Sequence, residues 1–174
     1  ATPAPPDARL LTMLLLCDTL RKEGAEAITL LAPYLPYMRQ DHDEAAKSRA
    51  AAWLGALLGA VGVRQVIAVD LHSRAAAALL PMPVVSLSPA PLLASEIARL
   101  GWSDAVLVAP DAGAALRCAD VRDELNHGAR IVTLHKERTP AGVRSELREE
   151  AGPRAILIDD ILDTGGTLVA ACRA

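Results

Sequence analysis

Short apolar bursts alternate along the chain with longer stretches in which apolar residues fall at helical spacing. The bursts, Ala27 to Ala32, Gln65 to Val69, Ala105 to Ala109, Arg130 to Leu134 and Ala155 to Ile158, have the length and character of buried β-strands. Between them, Ala8 to Glu23, Lys47 to Val61, Pro89 to Leu100 and Ala114 to Asn126 are expected to be helices, and a further helix opens near Gly166. Strands that are apolar almost throughout need cover on both faces, so their alternation with helices predicts an α/β chain of parallel sheets flanked by helices. Pro81, Pro83, Pro89 and Pro91 crowd one stretch and predict a linker, which divides the chain into tandem lobes at 1–84 and 85–174.

Composition narrows what such a chain can do. Hydrophobic residues make up 52% and charged residues 22%, and the mean hydropathy is +0.25, values that exclude a disordered or fibrous chain. The aromatics are Trp53, Trp102, Tyr34 and Tyr37 alone, so the core is aliphatic and platforms for stacking nucleic-acid bases are scarce. With a net charge of −3 and dispersed cations, small ligands are the expected partners and nucleic acid is not. Cys17, Cys118 and Cys172 are far apart and form no C-x-x-C pair, the usage of reduced structural thiols in a cytoplasmic protein. The longest apolar run, Leu10 to Cys17, is too short to cross a bilayer, and the Pro-rich start lacks the features of a secretory signal, so no membrane partner is expected.

The ends of the strands carry the chemistry, which is where open parallel sheets bind ligands. Val69 runs into Asp70-Leu71-His72, Ala109 into Pro110-Asp111-Ala112-Gly113, Leu134 into His135-Lys136-Glu137-Arg138, and Ile158 into Asp159-Asp160. The last of these continues as Ile161-Leu162-Asp163-Thr164-Gly165-Gly166-Thr167. Two adjacent carboxylates are followed by a glycine turn that opens a helix. Glycines let backbone amides approach an anion, the helix N-terminus favours negative charge, and the threonine hydroxyls add hydrogen bonds. Asp159 and Asp160 repel phosphate but accept from vicinal hydroxyls, so the whole suits a sugar phosphate. A simple helix cap requires neither the doubled Asp nor the doubled Gly.

This stretch closely resembles the phosphoribosyl-pyrophosphate (PRPP) binding motif shared by type I phosphoribosyltransferases and ribose-phosphate pyrophosphokinases. Four further segments, in order, are similar to the pyrophosphokinases: Pro33 to Asp41, Val69 to His72, Ala109 to Gly113 and His135 to Arg138. The resemblance covers about Leu14 to Leu168 and implies a phosphoribosyltransferase-like fold in two lobes. The implied activity is synthesis of PRPP and AMP from ATP and ribose 5-phosphate with Mg²⁺. It assigns Arg39 and Gln40 to ATP, His72 and Asp111 to the metal, and Lys136 and Arg138 to a mobile catalytic loop. Asp159, Asp160, Asp163, Thr164, Gly165, Gly166 and Thr167 are assigned to ribose 5-phosphate. It also implies a homo-oligomer, a dimer or hexamer.

Taken without the family, His72 also reads as a packing or capping histidine, Lys136 to Arg138 as a solvated turn, and Arg39 to Asp41 as a polar loop. Magnesium prefers oxygen to imidazole, which makes Asp111 a better ligand than His72. Relatives carry glutamines, a glycine and aromatics after Asp-Leu-His, where this chain has Ser73-Arg74 and then Ala75 to Leu80. They carry a proline soon after the position of Asp41, and a second glycine where Ala114 stands. The resemblance therefore implies a divergent branch, with further segments of the family before and after this chain. Two alternatives are a phosphoribosyltransferase that consumes PRPP and a non-catalytic regulatory relative.

Overall fold

A computed structural model of the 174-residue chain describes residues 5–43, 45, 48–126, 128–139, 142–146, 152–162 and 164–173. They form two compact units, Ala1–Ser88 and Pro89–Ala174. The division follows Ser88 rather than residue 84, because the segment that the prolines made look like a linker is a strand of the first sheet.

The first unit runs α1 (Pro6–Lys22), β1 (Ile28–Ala32), α2 (Ala50–Ala60), β2 (Val63–Val69), α3 (Arg74–Ala78) and β3 (Val84–Leu87). All three strands are parallel, with β2 in the middle and Ile67 opposite Leu31 on one side and Val85 on the other. The prolines stay off the ladder: Pro83 precedes β3 and gives its carbonyl to Val66 N at 3.0 Å. Leu54 and Leu58 of α2, Val63 and Val66 of β2 and Cys17 of α1 form the core with Leu35 and Met38 of the loop after β1. Burying each large aliphatic side chain contributes about 1.5–3 kcal/mol. At Gly55 the helix comes so close to the turn before β3 that an added Cβ would stand 3.0 Å from Leu79 O, Leu80 Cα and Pro81 Cδ.

The second unit contains α4 (Ala90–Arg99), β4 (Val106–Ala109), α5 (Ala112–Leu125), β5 (Ile131–Thr133), β6 (His135–Thr139), β7 (Gly142–Glu146), β8 (Ala155–Leu157) and α6 (Gly166–Arg173). Its parallel sheet has the order β5-β4-β8, with Val108 opposite Val132 and Leu157. Helix α5 starts at Asp111, whose carboxylate accepts from Ala114 N at 3.1 Å, and stops at Asn126, which turns left-handed at φ 55°. It packs on β4, β5 and α4, burying Ala114, Cys118, Val121 and Leu125. A strand pair stands where a loop was expected. Strands β6 and β7 form an antiparallel hairpin with Lys136 opposite Ser145 and Arg138 opposite Val143. Its residues are too polar to show an apolar alternation, and the backbone ladder defines the element.

Candidate functional site

Because each main sheet is parallel, all its strands deliver their carboxyl ends to one edge. In the second unit, Ile158 continues β8 beside β4, its N–H donating to Val108 O at 3.1 Å, and Leu134 N donates to Ala109 O at 2.9 Å. The exits of β4, β5 and β8 are thereby tied together. Asp111, the start of the β6–β7 hairpin and the Asp159-Asp160 pair leave from that one edge.

Ile158 is buried at the base of the pair, and Asp160 N donates to the Asp159 carboxylate at 2.9 Å. Partial burial raises the Asp159 carboxyl above its ordinary value, and the negative charges of Asp160 and Asp111 push the same way. Asp160 has a counterion that the sequence reading missed. Arg117 on α5 places Nη2 3.6 Å from Asp160 Oδ2, with both side chains largely shielded from water. The available signal was that Arg117 is the lone cation in the first two turns of α5. Among the described residues, one edge of this sheet thus carries the carboxylates of Asp111, Asp159 and Asp160 and the Arg117 guanidinium, an environment that favours a hydroxyl-bearing or cation-bearing ligand.

The loop after the pair leads into α6. Gly165 sits at φ 77°, a conformation open to glycine, and its carbonyl accepts from Val169 N at 2.9 Å. Thr164 Oγ1 lies 3.4 Å from Gly166 N, at the long end for a cap. Among the described residues, an added Cβ on Gly166 would meet only Thr164 Oγ1, at 3.5 Å, an ordinary van der Waals contact. Asp163 lies outside the described residues. Thr167 is described as backbone of α6 only, and Lys136 and Arg138 as backbone of β6 only.

The first unit presents a second polar edge. Arg39 and Gln40 are exposed on the loop after β1, between buried Met38 and shielded Asp41. His72 follows β2, whose exit bends at Asp70 with φ 45°. Tyr37, just before the Arg39-Gln40 pair, is also left-handed at φ 66°, and its hydroxyl donates to the Asp7 carboxylate of α1. Two non-glycine residues in this strained region mark the two exits that carry the expected ATP and metal residues. Asp41 and Ser73 join these exits directly, a contact that sequence reading did not anticipate.

His72 belongs to the first unit and Asp111 to the second. Among the described residues, no group of three or more His, Cys, Asp or Glu side chains is gathered to hold a metal ion. The carboxylates of Asp111, Asp159 and Asp160 nevertheless supply the hard oxygen donors that Mg²⁺ takes. That ion keeps much of its water and needs only one or two protein carboxylates beside substrate phosphates.

Comparison with known proteins bears on the family and the fold. Residues 1–62 match the N-terminal domain of ribose phosphate pyrophosphokinase, and residues 90–174 match the phosphoribosyl transferase domain. A ribose-phosphate pyrophosphokinase from Granulibacter bethesdensis is 34% identical over 100% of this chain and 57% of its own length. One from Halalkalibacterium halodurans is 33% identical over 100% of this chain and 56% of its own. The chain belongs to the ribose-phosphate pyrophosphokinase family. The crystal structure of phosphoribosylpyrophosphate synthetase from Mycobacterium smegmatis superposes with a TM-score of 0.86 at 30% identity, over 98% of this chain and 56% of that one. The chain spans a little over half the length of these family members. The family fold, parallel sheets flanked by helices, is the one expected from the strand and helix pattern. Among the described residues no helix is long and apolar enough to cross a membrane.

Proposed function

We propose that this chain acts as a ribose-phosphate diphosphokinase, transferring the pyrophosphoryl group of ATP to the 1-hydroxyl of ribose 5-phosphate to give PRPP and AMP. The observation that carries the reading is the exit of β8, where partly buried Asp159 and shielded Asp160 precede by a short stretch of chain the glycine turn at the N-terminus of α6. Carboxylates suit the ribose hydroxyls, and the amides of Gly165 and Gly166 with Thr164 and Thr167 suit the 5-phosphate. Asp163 completes that assignment. Arg39 and Gln40 are assigned to ATP recognition, so the ATP side of the reaction falls to the first unit and the sugar side to the second.

In the reaction, the oxygen of the 1-hydroxyl attacks the β-phosphorus of ATP. The bond from that phosphorus to the oxygen bridging it to the α-phosphorus breaks, AMP leaves with the electron pair, and the hydroxyl proton is released. Negative charge shifts toward the leaving oxygen, so preorganised cations lower the barrier. Lys136 and Arg138 are assigned that role. Mg²⁺, when bound, neutralises phosphate charge, with Asp111 and His72 assigned to it. A cytoplasmic location and a homo-oligomer, dimeric or hexameric, accord with this reading.

The test is AMP release from ATP and Mg²⁺, with and without ribose 5-phosphate. Sugar-dependent AMP that disappears in Asp160→Ala is the expected result. Pyrophosphate release from PRPP and a nucleobase would favour a phosphoribosyltransferase instead, and ligand binding without turnover a regulatory relative. Lys136→Ala should slow turnover far more than it weakens ribose 5-phosphate binding, because its charge acts on the transition state.

A further inference from the structure

The stretch after His72 contains a residue that does two things at once. Ser73 has extended backbone (φ −153°, ψ 158°) and caps α3, its Oγ accepting from Ala76 N at 2.9 Å. The same hydroxyl donates to Asp41 Oδ2 at 2.5 Å, across 32 positions of chain. The Asp41 side chain is only 12% exposed, and its other oxygen lies 3.0 Å from His42 Nδ1. A carboxylate this shielded needs donors, and Ser73 supplies one from the exit of β2 to the loop that leaves β1.

We propose that Ser73 is a positioning residue for nucleotide binding, latching the loop of Arg39 and Gln40 to the strand end that carries His72 through its hydrogen bond to Asp41. A side chain anchors the loop on either side of the exposed pair. On one side Met38 is 4% exposed in the core, and on the other Asp41 is fastened to Ser73; the exposed pair Arg39-Gln40 stands between them. Two backbone bonds also touch Gln40: its N–H donates to Tyr37 O at 2.9 Å within the loop, and its carbonyl accepts from Ala51 N at the longer distance of 3.3 Å. Opening the latch frees one end of the segment and lets the pair wander relative to His72. The glycine turn before α6, in the other unit, makes no use of the latch. Loss should therefore fall on the nucleotide and spare the sugar phosphate. This role rests on the assignment of Arg39 and Gln40 to ATP.

The experiment compares three variants of the full chain. Ser73→Ala removes cap and latch, Ser73→Asp keeps a capping acceptor but sets a second carboxylate against Asp41, and Ser73→Thr keeps both functions. Hydrogen exchange of the amides from Arg39 to His42 is measured alongside titrations with MgATP and with ribose 5-phosphate. Ser73→Ala and Ser73→Asp should each speed that exchange and weaken MgATP binding by about tenfold, the worth of one charge-assisted hydrogen bond. Ribose 5-phosphate binding should stay within about twofold of the parent's, the scatter between independent sites. Ser73→Thr should restore the parent's behaviour. Unchanged exchange in Ser73→Asp, or equal weakening of both ligands, overturns the proposal. A parent chain that binds no ATP overturns the functional reading and the nucleotide role with it, while the exchange rates still decide whether Ser73 holds the loop.

Discussion

The two units end their central chemistry in carboxylates of opposite character. In the first, Asp41 is satisfied: the Ser73 hydroxyl and the His42 ring hold its carboxyl below the ordinary value, against a small opposing effect of burial. In the second, Asp159 is held above its ordinary value by burial and by the charges of Asp160 and Asp111. A carboxylate whose charge the fold stabilises belongs to the architecture. One whose charge the fold opposes gains stabilisation when a ligand brings hydroxyl donors or a cation. The contrast separates a residue whose charge is used within a loop from one whose charge the fold leaves opposed, although both are aspartates near strand exits of similar sheets.

The sharpest way to break this contrast is to remove Arg117, which tempers the second cluster. Arg117→Ala should lower stability by about 2–3 kcal/mol, below the cost of breaking a fully buried pair because Arg117 keeps some exposure to water. Ribose 5-phosphate affinity should fall as well, since Asp160 loses the group that orients it. Urea unfolding and calorimetric titration measure the two effects. A stable variant with unchanged affinity would mean that the carboxylates organise themselves.

Next in size is Gly55→Ala in the first unit. The added methyl meets backbone and a proline ring at 3.0 Å, groups that cannot rotate away, so overpacking costs about 1–3 kcal/mol. Improved helix propensity offsets up to about 1 kcal/mol. The net loss of about 1–2 kcal/mol should appear in unfolding experiments, with ribose 5-phosphate binding untouched. Gly165→Ala should do the reverse. Forcing a side chain to φ 77° costs about 1–2 kcal/mol, and because the turn is local the loss should appear as roughly tenfold weaker sugar-phosphate binding, with little change in overall unfolding.

Most of the architecture was legible because burial is written in apolar runs. Val106 to Ala109 and Ile28 to Ala32 announce themselves as strands, whereas the cap that Asp111 gives α5 was not read from its sequence. In the Lys136 hairpin, the polar sequences His135 to Thr139 and Gly142 to Glu146 carry no such record. Pro83 misled for a related reason: it stands immediately before β3, where a missing N–H is harmless, and so marks the start of a strand while looking like a linker. The individual exits of the site were readable from their residues. What joins them was not, since the Ser73–Asp41 and Arg117–Asp160 contacts depend on tertiary approach. The thiols divide along the same line. Burial pushes Cys118 up to about 11, as fits a structural residue, whereas Cys172 is exposed and does not serve the core.

The smallest expected effect tests the opening contrast most directly, through the sign of two pH dependences. The folded Asp41 carboxyl lies below its unfolded value near 3.8, so its contribution to stability is present above that value and disappears as pH falls through the folded one. Asp159 runs the other way. Its folded carboxyl lies above the unfolded value, so the favourable contribution is complete below about 3.8 and is lost as pH rises through the folded one. Asp41→Asn should therefore destabilise the chain at pH 7, and the deficit should shrink at pH 3. Asp159→Asn should stabilise it at pH 7, by a small amount because water screens a group that is only partly buried, and that gain should vanish at pH 3. Urea unfolding in metal-free buffer at the two pH values gives all four differences. Opposite signs at neutral pH would establish that the fold spends Asp41 on its own structure and keeps Asp159 for a ligand; the same sign in both would erase the distinction between the two strand exits.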